Sequence, residues 1–364
     1  MKNRCDLAIE FDNPSRQYRT GDQVSGFVTV EVNKDCRCRG LSVDCEWRTH
    51  GRGNRSRGST RTAIVFEGEW TAGVYRYPFS FIIPNGPVSY HGHLLNVDWY
   101  LRARADIPWS FDPREEVDFI VDPGIPRSNE PYLTGDPNSH SHSSLEQRVA
   151  SYKAGSSALF FVIGIVLFAV AAFMCVMMVL TGISAVAILM AIFHGALAIL
   201  FLSIGLQRRM AIMKFGDIQI EIPQKRIHAG GIVDLRLDIP PSSKGRLNKV
   251  TASISCAEVV TSGSGTNRTT RTHTLLGDSH VFESSVNRTL RKGESAQFSH
   301  RFRLPENAPP SFHTYNNHIT WKIEFHVDIA RWPDWVEARP LEVVPALLKA
   351  PKAEPVNQTQ NAVW

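Results

Sequence analysis

Cys36-x-Cys38, followed by Cys45 and His50, is the first set of side chains that could hold a metal. Thiolates and a neutral imidazole suit zinc, which takes four such donors in a tetrahedron. The spacing is irregular, however, and Cys45 falls on the apolar side of an alternating stretch. The set reads as two loop thiols and one small core residue. His91-x-His93 and His140-x-His142 could together bind a transition metal, but neither pair has a cysteine or carboxylate at fixed ligand spacing. They read as a turn and a solvated linker. No metal and no cofactor is expected. A third set is basic: Arg48, Arg52, Arg55, Arg57 and Arg61, interleaved with Gly and Ser. Guanidinium groups fork onto phosphate, so this is a candidate anion- or lipid-binding loop for anionic headgroups or phosphorylated ligands. The plain alternative is a hairpin tip kept soluble by its charge. No aromatics interleave with these arginines, and the net charge of +5 is mild, so nucleic acid is not an expected partner. Trp99, Trp109, Trp321, Trp332 and Trp335 could stack on carbohydrate, but Trp99 and Trp321 recur at matching strand positions and fit a core better. Trp332-Pro-Asp-Trp335 is a candidate interface edge. There is no phosphate-cradling Gly loop with a following Lys, no HExxH and no GxSxG. No catalytic residue is assigned, and the chain is not expected to be an enzyme.

The elements that would carry these residues begin with an apolar block. Residues 158–180 and 183–206 contain no Asp, Glu, Lys or Arg, and only Thr181 and Gly182 separate them. At about 1.5 Å per residue each can cross a hydrocarbon core of about 30 Å as a helix. Residues 157–206 are therefore expected to form a transmembrane hairpin with spans at 157–180 and 183–206. Arg148 and Lys153 precede it, Arg208, Arg209 and Lys214 follow it, and the turn has no cation. That asymmetry puts both flanks in the cytoplasm. The amino terminus has no apolar run that would export the first flank. Cysteine pairing and use of the Asn54, Asn267 and Asn287 sequons are then not expected. The alternative is an extracytoplasmic, envelope-sensing module of inverted topology, and behind it an enzyme on a β-sandwich that uses a scattered Ser-His-Asp set. His194, in the second span, is expected to be neutral and to make one interhelical hydrogen bond.

The two flanks repeat one another. Phe79–Pro84 matches Phe298–Pro305 at its Pro ending, and Asn96–Ile107 matches His318–Ile329, with 222 residues between the tryptophans Trp99 and Trp321 and between Asp106 and Asp328. Cys45 is matched to Cys256, 211 residues later. Within each copy the apolar period is two: Leu41, Val43, Cys45 and Trp47 alternate with polar residues, as do Leu101, Ala103, Ala105 and Ile107. Short alternating runs between Gly, Pro and Asn clusters predict a sandwich of two antiparallel sheets in each copy. The expected fold class is mainly β: two immunoglobulin-like sandwiches with an inserted helical hairpin. The divisions are 1–122 for the first sandwich, 123–156 for a flexible linker and juxtamembrane segment, 215–345 for the second sandwich and 346–364 for a disordered tail. Ser143-x-x-Glu146 could cap a juxtamembrane helix.

Tyr18-Arg-Thr-Gly21-Asp22-Gln-Val24-Ser-Gly26, the later Tyr75-x-Tyr77-Pro-Phe-x-Phe-x-x-Pro84, and the Tyr90-His-Gly92 approach to a long strand resemble the arrestin-type amino-terminal domain. The second copy keeps a weaker version, Ile227-His-Ala-Gly230. The resemblance covers most of both flanks and its motifs are structural. It implies arrestin-like sandwiches and a protein-binding or scaffolding adaptor with an unidentified protein partner. No phosphate-sensing residues of that family can be placed residue by residue, so receptor binding is not implied. The Gly-Asp pair suits a turn in which Asp22 bonds local backbone.

Overall fold

The computed structural model describes residues 4–109, 111–124, 132–135, 161–180, 185–215, 217–224, 226–240 and 245–346. His140-x-His142, the Ser143–Glu146 cap, most of the linker and the tail beyond 346 lie outside the described residues.

Among the described residues the chain is mainly β, with two α-helices. The first flank forms β1 (Cys5–Phe11), β2 (Gln17–Arg19), β3 (Gln23–Val32), β4 (Cys36–Gly51), β5 (Arg57–Trp70), β6 (Gly73–Ile82), β7 (Tyr90–His91), β8 (Leu95–Asp106) and β9 (Arg114–Asp122). The sheet β1-β3-β6 faces the sheet β2-β9-β8-β4-β5, with β7 on β8. After α1 (Phe161–Leu180) and α2 (Ala185–Phe215) come β10 (Gln219–Glu221), β11 (Arg226–His228), β12 (Ile232–Ile239), β13 (Gly245–Ser262), β14 (Thr269–Val281), β15 (Thr289–Leu290), β16 (Ala296–Arg303), β17 (Phe312–His313), β18 (Asn317–Ile329) and β19 (Trp335–Val344). Their sheets, β10-β12-β16 and β11-β19-β18-β13-β14, repeat the first order strand for strand, with β15 added.

The period-two reading sets the cores. Leu41, Val43, Cys45 and Trp47 are buried, as are Leu101, Ala103, Ala105 and Ile107. Their sequence neighbours take the opposite face, as alternation of side chains along a strand requires, and all of them but Glu46 keep contact with solvent. The repeat extends to single bonds. Trp99 Nε1 donates to Pro87 O at 2.9 Å, and Trp321 Nε1 to Pro309 O at 2.8 Å. Ser89 Oγ accepts from Val121 N at 2.9 Å, and Ser311 Oγ from Val343 N at 2.9 Å. Asp22 Oδ2 accepts the Arg19 N–H at 2.7 Å, the local turn bond expected of the Gly-Asp pair.

Two expectations need correction. The sheets are not purely antiparallel: β2 pairs parallel with β9, and β11 with β19. Each is a three-residue strand, too short for its period to register. The cysteine match is also off by two residues. Trp47 lies opposite Trp99, and Cys256 lies opposite Trp321. Trp47, not Cys45, is therefore the partner of Cys256 in the repeat. Identity of residue type drew the match, whereas the strand register against the paired tryptophans sets the equivalence.

Phe161–Leu180 is, among the described residues, the one helix long and apolar enough to cross a membrane, and Ile188–Ser203 is a shorter apolar stretch in α2. The helices approach closely at Gly164, where a Cβ would meet Leu202 N at 2.9 Å. Gly at such a position lets two helix backbones near one another. His194 Nδ1 bonds Met190 O at 2.8 Å, within its own helix. The expected interhelical bond is thus replaced by an intrahelical one, because a carbonyl one turn earlier is within reach of the ring.

Candidate functional site

One end of each sandwich meets the other, and buried polar side chains lie in the meeting surface. Glu258, on β13, is 0% exposed. It occupies the inward parity of Ile254 and Cys256, where an apolar residue is the rule. The loop after β7 of the first sandwich closes over it. Tyr90 OH donates to Oε1 at 2.7 Å, His93 N–H to Oε1 at 3.1 Å, and Leu94 N–H to Oε2 at 2.6 Å. Successive backbone N–H groups aimed at one carboxylate form an anion-holding nest. A Cβ on Gly92 would overlap Glu258 Oε1, so only glycine admits this approach. Burial, reinforced by the bond to Glu258, pushes the Tyr90 hydroxyl far above its ordinary value and keeps it a donor. Burial also pushes the Cys256 thiol up to about 12, with Glu258 adding to the shift.

Around this centre the contacts are reciprocal. Asn54 N–H donates to Thr261 O at 2.9 Å, Asn54 Nδ2 to Gly263 O at 2.8 Å, and Gly263 N–H to Asn54 Oδ1 at 3.1 Å. Asn317 Nδ2 reaches Thr49 Oγ1 at 3.0 Å and Asn54 O at 2.7 Å. Trp47 meets Phe312 edge-on at 5.6 Å, and His93 stacks on His273 at 4.1 Å. Trp47 and Cys256 are repeat partners, and so are Phe312 and Tyr90, which lies beside Cys256. Each sandwich thus offers the same region to the other, the pattern of a two-fold interface. Residues 132–135, inside the segment expected to be a tether, line this seam: Leu133 N–H donates to Asn85 O at 2.8 Å, and His313 N–H to Thr134 O at 2.6 Å. They touch both sandwiches.

The arginine set is divided by the structure. Arg48 lies on β4 and pairs with Glu46 and, at 2.6 Å, with Glu116, while its guanidinium covers the Tyr100 ring at 4.8 Å. It supports the sheet. Arg52 and Arg55 flank Gly53-Asn54 in a loop that reaches only from 52 to 56, and Arg57 and Arg61 lie on β5. These four are exposed and enter no ion pair among the described residues. The interdomain role of Asn54 was not read from the sequence. A short Gly-Asn turn between two long strands gave no sign of what it touches.

Cys36 and Cys38 are not loop thiols. Both are buried on β4, near the buried Cys5. Burial pushes Cys5 up to about 12 and Cys38 up to about 11, so both stay protonated and inert at neutral pH. Cys45 is buried in the core, as expected. His50 and His91 share Asp98, with His91 Nε2 at 2.7 Å. No group of three or more His, Cys, Asp or Glu side chains is arranged to hold a metal among the described residues.

A shallow cavity of about 610 Å³ on β10, β12 and β16 is lined by Arg236, Arg301, Asp234, Glu221 and His300. Its cations are engaged, Arg301 with Asp234 at 2.6 Å and Arg236 with Glu221 at 3.5 Å. His300 stacks on His280 at 3.7 Å. Burial, and then His280, hold the His300 imidazole below its ordinary value of 6.5. The folded state then binds fewer protons than the unfolded one. Stability is intact above the unfolded value and is lost as pH falls through the folded value. The melting temperature is expected to drop between about pH 7 and pH 5, and His300→Phe to flatten that drop. An unchanged slope in the variant would contradict the assignment.

With this geometry established, residues 233–348 match the family described as arrestin (or S-antigen), N-terminal domain. The match supports an arrestin-like family. It falls on the second copy, where the motif is weaker by eye, and the strand-for-strand repeat carries the likeness to the first. Spo0M, a sporulation control protein from Bacillus subtilis, aligns with 34% of this chain and 51% of its own, at 17% identity and a TM-score of 0.29. The chain therefore spans about half the length of that protein. No curated protein matches the sequence.

Proposed function

We propose that the chain is a non-enzymatic protein-binding scaffold or adaptor, anchored in a membrane by α1 and the apolar part of α2, with both arrestin-like sandwiches in the cytosol. The observation that carries this reading is α1. Only 11% of its most apolar 18-residue window is buried, whereas a core helix of a soluble protein would be largely covered. Val162, Val166, Phe168 and Phe173 face outward, and lipid is the solvent that tolerates such a surface. The sequence of the second helix and the cations that flank the pair support two spans and the cytosolic orientation.

The arrestin-like family match supports a binding role, and the open edge of β5 supplies a means. β5 ends its sheet, with no strand on its outer side among the described residues. An extended segment can add to such an edge through backbone hydrogen bonds. Arg57 and Arg61 on this edge, with Arg52 and Arg55 beside it, favour an acidic or phosphorylated segment. Affinity capture from detergent extract, scored against the Arg57→Glu/Arg61→Glu variant and an Ile64→Pro variant, tests this. Specific partners are expected with the native chain, and roughly tenfold less of them with either variant. Equal capture by all three chains would exclude the β5 edge.

A further inference from the structure

We propose that the far end of the second sandwich, opposite the seam, is a docking face for the anionic phosphate headgroups of the bilayer that holds α1 and α2. This rests on the membrane reading above. The register fixes which end faces the lipid. Gln219, at the start of β10, pairs with Asp238; Gly245, at the start of β13, pairs with Leu290; and Leu247 pairs with Ile329. The chain leaving α2 therefore enters the sandwich at the end that carries the loop after β14 and the turn between β18 and β19. Glu258 and Asn317 lie at the other end, in the seam. α2 also lies against β19.

The helix length sets the height. α2 has 31 residues, or about 46 Å at 1.5 Å per residue. The apolar span ends at Leu206, and residues 207–215 continue the helix for about 13 Å beyond the hydrocarbon core at 1.5 Å per residue. Headgroups occupy about 5–8 Å of that on each side of a bilayer. Phe215 then emerges within about a Debye length of the headgroup surface, and β10 begins four residues later.

The chemistry of that end suits the position. Arg246, Arg291, Lys292 and Arg331 are exposed there and enter no ion pair among the described residues. Arg246 bonds only a neutral partner, Asn287 Oδ1 at 2.9 Å. Several nearby acids are engaged: Glu294 with Arg288 at 3.1 Å, Asp328 with Asn248 at 2.7 Å, and Asp334 with His326 at 2.8 Å. Asp217 and Glu283 are exposed at this end, and Asp238, opposite Gln219, is half-buried. Trp332 stands exposed on the same turn as Arg331, which Asp334 pins through the Ile329 N–H at 3.3 Å. Cations near an anionic surface are attracted over about a Debye length, and an indole belongs at the headgroup level.

The test uses the full chain in nanodiscs of phosphatidylcholine alone or with about one third phosphatidylglycerol, read by hydrogen exchange over 286–293 and 329–334. Exchange is expected to slow several-fold in the anionic discs. Arg291→Glu/Lys292→Glu/Arg331→Glu should lose that slowing while still entering the discs. Equal exchange in both discs overturns the proposal and leaves the anchor standing. Slowing in neutral discs on adding soluble glycerol phosphate would mean a free-anion site and also overturn it. A chain that enters neither disc sinks the membrane reading and this inference together.

Discussion

Replacing Glu258 by alanine is expected to unhook the two sandwiches while leaving each folded. The carboxylate accepts from Tyr90 OH, His93 N–H and Leu94 N–H in a fully buried setting. Its removal strands three donors, each at a cost of about 1–3 kcal/mol when water cannot reach it. The loss falls on the seam, because every donor comes from the other sandwich. Limited proteolysis within 90–95 and 52–56 should accelerate at least tenfold, and the protein should expand in solution scattering. Gly92→Val should do the same from the opposite side, by driving a side chain into the carboxylate. Native-like protease resistance in both variants would show that the seam does not depend on this nest.

The second large effect lies in the core of the second sandwich. Trp321 is buried, sits opposite Cys256 and donates its indole N–H to Pro309 O. Trp321→Ala should cost about 3–5 kcal/mol through the cavity alone, and it frees the half-buried Pro309 carbonyl besides. The equivalent Trp99→Ala should act alike on the first sandwich. In chemical denaturation each variant should uncouple one transition from the other. A midpoint shift of less than about 1 kcal/mol for either would contradict the shared construction of the two cores.

Much of this was legible in the residues. Alternation marked the inner faces of β4 and β8, because a strand buried on one side must alternate. The matching tryptophans exposed the repeat, because each occupies a core position with a fixed carbonyl partner. The short parallel strands and the bulges were not legible, since two or three residues show no period. Glu258 was legible in principle: a charge on the inward parity of Ile254 and Cys256 breaks the pattern at one position. What it meets comes from a loop about 165 residues earlier in sequence, and no local pattern encodes that. The Arg48 pairing was hidden for a similar reason. Glu46 is two residues away, but Glu116 reaches it across two strands.

The anchored reading can be tested with one thiol. Five of the six cysteines are buried, and Cys175, on the outward surface of α1, is the exposed one. In membranes holding the native chain, a charged maleimide should leave Cys175 unmodified, a lipid-soluble maleimide should reach it, and denaturant should expose all six. Rapid modification of Cys175 by the charged reagent before denaturation would place α1 in water and contradict the account.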